Sequence, residues 1–157
     1  LGATLNRGKS RQDYGTPIDF ITAVKGRFGI EEFGWDLAAS AENTKAPHFY
    51  SEAQDALNLP WNVAGKDWAW LNPPFGNIEP WVSKAADTRG ETTKIMMLVP
   101  ASVGANWWNF HVHDQAHVIF LNGRITFEGQ EDPYPKDCAL LLYTPYCYGG
   151  YEIWAWK

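Results

Sequence analysis

Hydrophobic positions fall along this chain in two rhythms. Phe20, Ile21, Val24 and Phe28 recur at helical spacing behind Thr16 and Pro17, which predicts a helix over about residues 17–28, with Thr16 as its cap and Gly29 as its stop. Short apolar runs at 33–37, 48–50 and 68–71 predict strands, with a polar loop or single helical turn across 51–59. Pro80 is placed to open a helix reaching about Thr88, with Trp81, Val82 and Ala85 on its face. Residues 94–100 form the clearest central strand, because an unbroken apolar run implies burial on both faces. Ser102 is placed to cap a helix over about 103–110. Residues 116–120 read as a strand followed by Gly123-Arg124-Ile125-Thr126-Phe127, and 138–143 and 151–156 read as two more strands. Helices alternate with strands early, and strands dominate later. The pattern predicts an α/β fold with a mixed sheet of about seven strands, begun as βαβ units and closed by an antiparallel hairpin.

A length of 157 residues gives room for one domain, expected over 13–157, behind a polar, basic arm at 1–12. A second, target-recognising domain does not fit in that length. No apolar run approaches a bilayer's thickness and nothing resembles a signal peptide, so a cytoplasmic setting is the default expectation. Cys138 and Cys147 do not make a disulfide framework, and Cys138, beside an apolar run, reads as a small buried residue. The net charge of -5 argues mildly against a nucleic-acid partner, but residues 1–30 carry five basic and two acidic groups. The chain therefore keeps a basic arm on an acidic body. The nine tryptophans suit packing in a small layered domain, with some left to act as stacking surfaces. His111, His113 and His117 with Asp114 do not share a helical face, and no metal centre is expected there.

The strand at 68–71 runs into Asn72-Pro73-Pro74-Phe75. Two prolines cannot continue a ladder, so the backbone must open abruptly where the strand ends. In an open α/β sheet that edge is where ligands bind. A side-chain amide, a proline carbonyl and an exposed ring are then presented together. Upstream, the run 33–37 ends at Asp36-Leu37 and leads into Ala38-Ala39-Ser40. Small side chains let a ligand approach the backbone, and an acid there can accept from ammonium or hydroxyl groups. The chain lacks a Gly-x-Gly-x-x-Gly fingerprint. Arg124, after a glycine in an apolar stretch, can reach a phosphate or a guanine edge, or form a surface salt bridge.

Asn72 to Phe75 resembles the Asn-Pro-Pro-aromatic motif of amino-group methyltransferases. Taken with Tyr14 to Pro17, with Asp36 to Ser40 and Asn43, and with Trp81, residues 99–102 and 123–127, the chain resembles the phage Dam-type DNA N6-adenine methyltransferases over about residues 13–127. Phenylalanine at position 75 departs from the commoner tyrosine; stacking survives and a hydroxyl is lost. The resemblance implies a minimal class I fold with pared-down helices, S-adenosylmethionine as cofactor and double-stranded DNA as partner, in a bacterial host's cytoplasm if the chain is phage-encoded. It implies that Asn72, Pro73, Pro74 and Phe75 hold a flipped adenine, the Asn72 oxygen and Pro73 carbonyl accepting from its amine and the Phe75 ring stacking on the base. It places Tyr14, Thr16, Pro17, Asp36, Ala38, Ser40 and Asp55 against the cofactor, and Arg124, with Lys9 and Arg11 of the arm, against DNA. The same tetrapeptide also serves cytosine N4 and protein glutamine, and a noncatalytic binding module is a separate alternative. The DNA sequence recognised and the oligomeric state stay open, with loops 76–80, 104–115 and 128–137 left to supply specificity.

Overall fold

In the computed structural model, which describes residues 15–89, 93–146 and 148–157, the chain passes through helix α1 (Ile18–Phe28), strands β1 (Trp35–Asp36), β2 (His48–Phe49) and β3 (Trp68–Leu71), helix α2 (Glu79–Thr88), strand β4 (Lys94–Pro100), helix α3 (Asn106–His111) and strands β5 (His117–Asn122), β6 (Cys138–Tyr143) and β7 (Tyr151–Ala155). The strands join in one sheet of order β2-β1-β3-β4-β6-β5-β7. β2, β1, β3 and β4 are mutually parallel, and β6 lies antiparallel between β4 and β5. The carboxyl ends of β1, β3, β4 and β5 therefore open on the same edge.

β4 explains why the sheet is covered on both sides. Ile95, Met97 and Val99 face a core shared with Val82 and Ala85 of α2 and Trp108 of α3. Met96 and Leu98 face a second core shared with Phe20, Ile21 and Val24 of α1. All five β4 residues are fully buried, so truncating Leu98 to alanine costs about 2–5 kcal/mol. None of the nine tryptophans is exposed; Trp154 and Trp156 pack on Phe20 from the last strand and the residues after it. Cys138 is buried, and desolvation pushes its thiol up to about 12. Among the described residues, no helix is long and apolar enough to cross a membrane.

Several local expectations are corrected. Pro17, not Thr16, is the residue flanking α1, and no side chain caps the helix. Gly29 does stop it, at φ 65, with its N–H donated to the Lys25 carbonyl. α3 starts at Asn106 instead of 103, because Ser102 and Val103 donate their backbone N–H groups to Pro100 and Ala101 in tight turns. The expected antiparallel pair in the second half is β5 with β6, and the final strand lies outside it. Gly149 and Gly150, at φ 95 and 102, turn the chain so that β7 runs parallel to β5.

Candidate active site

β1 and β3 pair in parallel, with Asp36 opposite Trp70. The Leu37 N–H donates to the Trp70 carbonyl at 2.9 Å, so the two strands end side by side. From β1 the chain enters residues 37–46, and from β3 it enters 72–78.

The second of these segments carries the tetrapeptide. Pro73 is buried and Asn72, Pro74 and Phe75 are half-buried. Pro74, at φ -64 and ψ 124, sends the chain into a short 3-10 turn, Phe75–Asn77, before α2. The Phe75 ring is less exposed than its sequence suggests. It meets Phe127 at 5.8 Å and Tyr134 at 5.4 Å between ring centroids, both edge-on, and Phe127 and Tyr134 meet each other at 5.8 Å. Edge-on rings at these spacings attract one another beyond their area burial. A pocket of about 270 Å³ opens beside this cluster, with Asn72, Pro73 and Phe75 on one wall and Phe127, Gln130 and Tyr134 on the other.

Asn72 also borders a second, larger pocket of about 570 Å³, lined by Leu37, Ala38, Ser40, Asp55, Pro74 and Trp81 among others. The floor is stiffened by side-chain bonds. The Tyr50 hydroxyl donates to the Pro60 carbonyl at 2.7 Å and the Trp61 indole to the Ala56 carbonyl at 2.9 Å. Asp55 is exposed, at φ 54, and accepts from the Asn58 amide.

A narrow crevice lined by Thr16, Asp36, Asn43, Lys45 and Asn72 shares Asn72 with both pockets. The Asp36 carboxylate is 2% exposed and accepts from the backbone N–H of Lys45 at 2.9 Å and of Ala38 at 3.3 Å. Burial pushes its pKa up to about 7; those two N–H groups and the Lys45 charge offset part of the desolvation. The Thr16 hydroxyl is buried here with no hydrogen-bond partner among the described residues. A buried carboxylate beside an orphaned hydroxyl suits a ligand that brings its own donors, such as the ammonium of an amino acid.

Of the residues predicted from sequence, Asn72, Pro73 and Phe75 come together in one pocket, and Ala38, Ser40, Asp55 and Pro74 in the other. Thr16 and Asp36 meet in the crevice. Pro17 lines none of the three; its carbonyl accepts from Ile21 and starts α1. Arg124 is exposed just beyond β5, 3.8 Å from Asp137, and stands outside the pockets. Tyr14, Lys9 and Arg11 lie outside the described residues. The histidines have local partners: His113 bonds the Tyr151 hydroxyl at 2.8 Å and His117 the Glu152 carboxylate at 2.6 Å. Tyr134 and Gln130 were not singled out from sequence. The signal was an aromatic residue set between Pro133 and Pro135 in an otherwise polar run.

The sequence profile of the family described as DNA N-6-adenine-methyltransferase (Dam) matches residues 4–141. The chain belongs to this family. Its seven-stranded mixed sheet with few, short helices is the minimal class I architecture that the Dam resemblance implies. Two proteins named DNA N-6-adenine-methyltransferase are similar to it. That of Escherichia phage T1 is 30% identical over 131 residues, covering 83% of this chain and 53% of the phage protein. That of Haemophilus phage HP1 (strain HP1c1) is 28% identical over 148 residues, covering 89% of this chain and 83% of the relative. This Dam-family chain thus spans about half the length of the T1 protein.

Proposed function

We propose that the protein transfers a methyl group from S-adenosylmethionine to N6 of an adenine in double-stranded DNA, with the adenine swung out of the duplex into the pocket beside Phe75. The observation that carries this reading is the position of Asn72, which borders both the base-sized pocket and the larger one. A residue so placed can hold a nucleophile where a second ligand meets it.

The adenine amine is a poor nucleophile, because its lone pair is delocalised into the ring. The Asn72 side-chain oxygen and the Pro73 carbonyl accept its two N–H bonds, which favours a tetrahedral nitrogen with its lone pair free to react. Phe75, braced by Phe127 and Tyr134, supplies the surface on which the base stacks. When bound, S-adenosylmethionine supplies the electrophilic methyl of its sulfonium and leaves as S-adenosylhomocysteine. As the N–C bond forms the nitrogen becomes cationic and one of its two protons passes to solvent water, leaving a single N–H for the Asn72 oxygen or the Pro73 carbonyl to accept. Asp36 and the Thr16 hydroxyl receive the amino-acid end of the cofactor, and Ala38, Ser40 and Asp55 line the space for the rest. Arg124, with Lys9 and Arg11, serves the phosphate backbone.

Calorimetric titration with S-adenosylmethionine, followed by nucleoside analysis of DNA incubated with protein and labelled cofactor, tests the reading. Saturable binding and N6-methyladenine are expected. N4-methylcytosine or labelled protein moves the acceptor while keeping the chemistry, and absence of cofactor binding leaves a noncatalytic module.

A further inference from the structure

The segment over the base pocket, residues 127–135, and the segment around the cofactor pocket, residues 37–46, leave different strands and are joined by a pair of side chains. The Lys45 ammonium lies 2.8 Å from the Glu128 carboxylate, and the Lys45 side chain is only 6% exposed. A lysine so buried is costly unless its charge is matched, so the pair holds Lys45 in one place. Both partners are tied to the pockets they adjoin. Lys45 donates its backbone N–H to Asp36, in the crevice behind Asn72. Glu128 follows Phe127, a wall of the base pocket, and donates its own N–H to the Gly15 carbonyl at 3.0 Å, one residue before Thr16. Three segments close on this point without slack. A methyl group on Gly15 would stand 2.9 Å from the Glu128 carboxylate and 3.1 Å from Asn43. Among the described residues, backbone bonds of the lip and its flanks include Tyr134 to Ile125, Gln130 to Phe127 and Ala101 to Asp137, and its Phe127 and Tyr134 rings meet Phe75.

We propose that Lys45 and Glu128 are positioning residues that strap the lip of the target-base pocket to the cofactor loop, so that filling the cofactor pocket fixes the lip against an extruded base. The proposal rests on the functional reading above. Neither residue touches the amine or the methyl group; the pair acts through Phe127 and Tyr134 on one side and through Asp36 on the other. A simple surface salt bridge would have little consequence, whereas this one, with its lysine side chain 6% exposed and its glutamate side chain 39% exposed, joins two loops 83 residues apart in sequence.

The test measures binding of a duplex oligonucleotide that the wild type methylates, by fluorescence anisotropy, with and without saturating S-adenosylhomocysteine. In the wild type the product cofactor is expected to tighten DNA binding by about fivefold or more, the usual lower range of coupling between two sites. In Glu128→Ala and Lys45→Met that factor is expected to fall to within about twofold of unity, with KM for DNA rising more than kcat falls. Glu128→Gln keeps an acceptor for the ammonium and is expected to recover part of the coupling, and it serves as the test should Glu128→Ala fail to fold. Variants that fold and keep the wild-type factor overturn the strap while leaving the methyltransferase reading intact, as does a wild-type factor of one. A wild type that binds no S-adenosylhomocysteine overturns the functional reading, and the strap with it.

Discussion

Asp36 and Trp70 stand opposite each other across the parallel β1–β3 pair, two residues before Asn72. That register delivers the buried carboxylate and the tetrapeptide to adjoining points on the same sheet edge, where both line one crevice.

Asn72→Ala removes the side-chain acceptor proposed for the amine. Turnover is expected to fall by about 100- to 1000-fold, the loss typical of removing one pre-aligned polar group from a reacting centre. S-adenosylmethionine affinity, measured calorimetrically, should change only a few-fold. Wild-type turnover in this variant would remove Asn72 from the mechanism.

Phe75→Ala removes a stacking surface and also unpacks Phe127 and Tyr134. Base holding should weaken by about 1–3 kcal/mol, read as a loss in kcat/KM for DNA. Phe75→Tyr keeps the ring, and its kcat/KM is expected to stay within a few-fold of wild type.

Burial pushes the Asp36 carboxyl from its ordinary 3.8 up to about 7. Its folded pKa lies above the unfolded one, so between about pH 4 and 7 the native state binds the extra proton. The stabilisation this brings is complete below 4 and is lost as pH rises through 7. The melting temperature of the ligand-free wild type should therefore drop more between pH 5 and pH 8 than that of Asp36→Asn. Cofactor affinity should run the other way, rising with pH through 7 as the carboxylate forms, and Asp36→Asn should flatten that rise. Matched titrations of both proteins at pH 5.5, 7 and 8.5 provide the check.

Thr16 carries a buried hydroxyl with no partner among the described residues. Thr16→Val keeps the shape and removes the group that lacks a bond, so the ligand-free protein is expected to gain about 1 kcal/mol in denaturant unfolding. S-adenosylmethionine should bind the variant more weakly. A variant that is more stable and binds the cofactor equally well would take Thr16 out of the cofactor site.

Arg124→Ala should weaken DNA binding uniformly across sequences and lower the slope of log affinity against log salt by about 1, as for loss of one phosphate contact. Binding isotherms at several salt concentrations measure this. An unchanged slope would leave Arg124 with its Asp137 pairing alone.

The sequence carried the sheet best where one strand's own composition decided its place. Residues 94–100 are apolar throughout, and β4 is buried on both faces along nearly its whole length. The strand leading to Asn72 was equally plain, since prolines 73 and 74 end any ladder. What stayed hidden depends on partners distant in sequence. Nothing local to residues 151–155 says that β7 runs parallel to β5, because that direction is set by the turn at Gly149 and Gly150. Thr16 looked like a helix cap because its neighbours are helix-forming; tertiary packing instead buries its hydroxyl in the crevice. Tyr134 lies 59 residues from Phe75, and no periodicity links them until the lip folds over the pocket. Lys45 and Glu128 read as two ordinary surface charges until the fold buries one against the other.

Strands β1 and β2, at one end of the sheet, are only two residues long, whereas β4 and β6 share a six-residue register at its centre. Amide exchange should divide the protein accordingly. The central amides are expected to open only with global unfolding, while those of β1 and β2 exchange through cheap local openings. A ligand lodged behind Asp36 would slow exchange in that outer third of the sheet most, making the cofactor a structural part of the edge it binds.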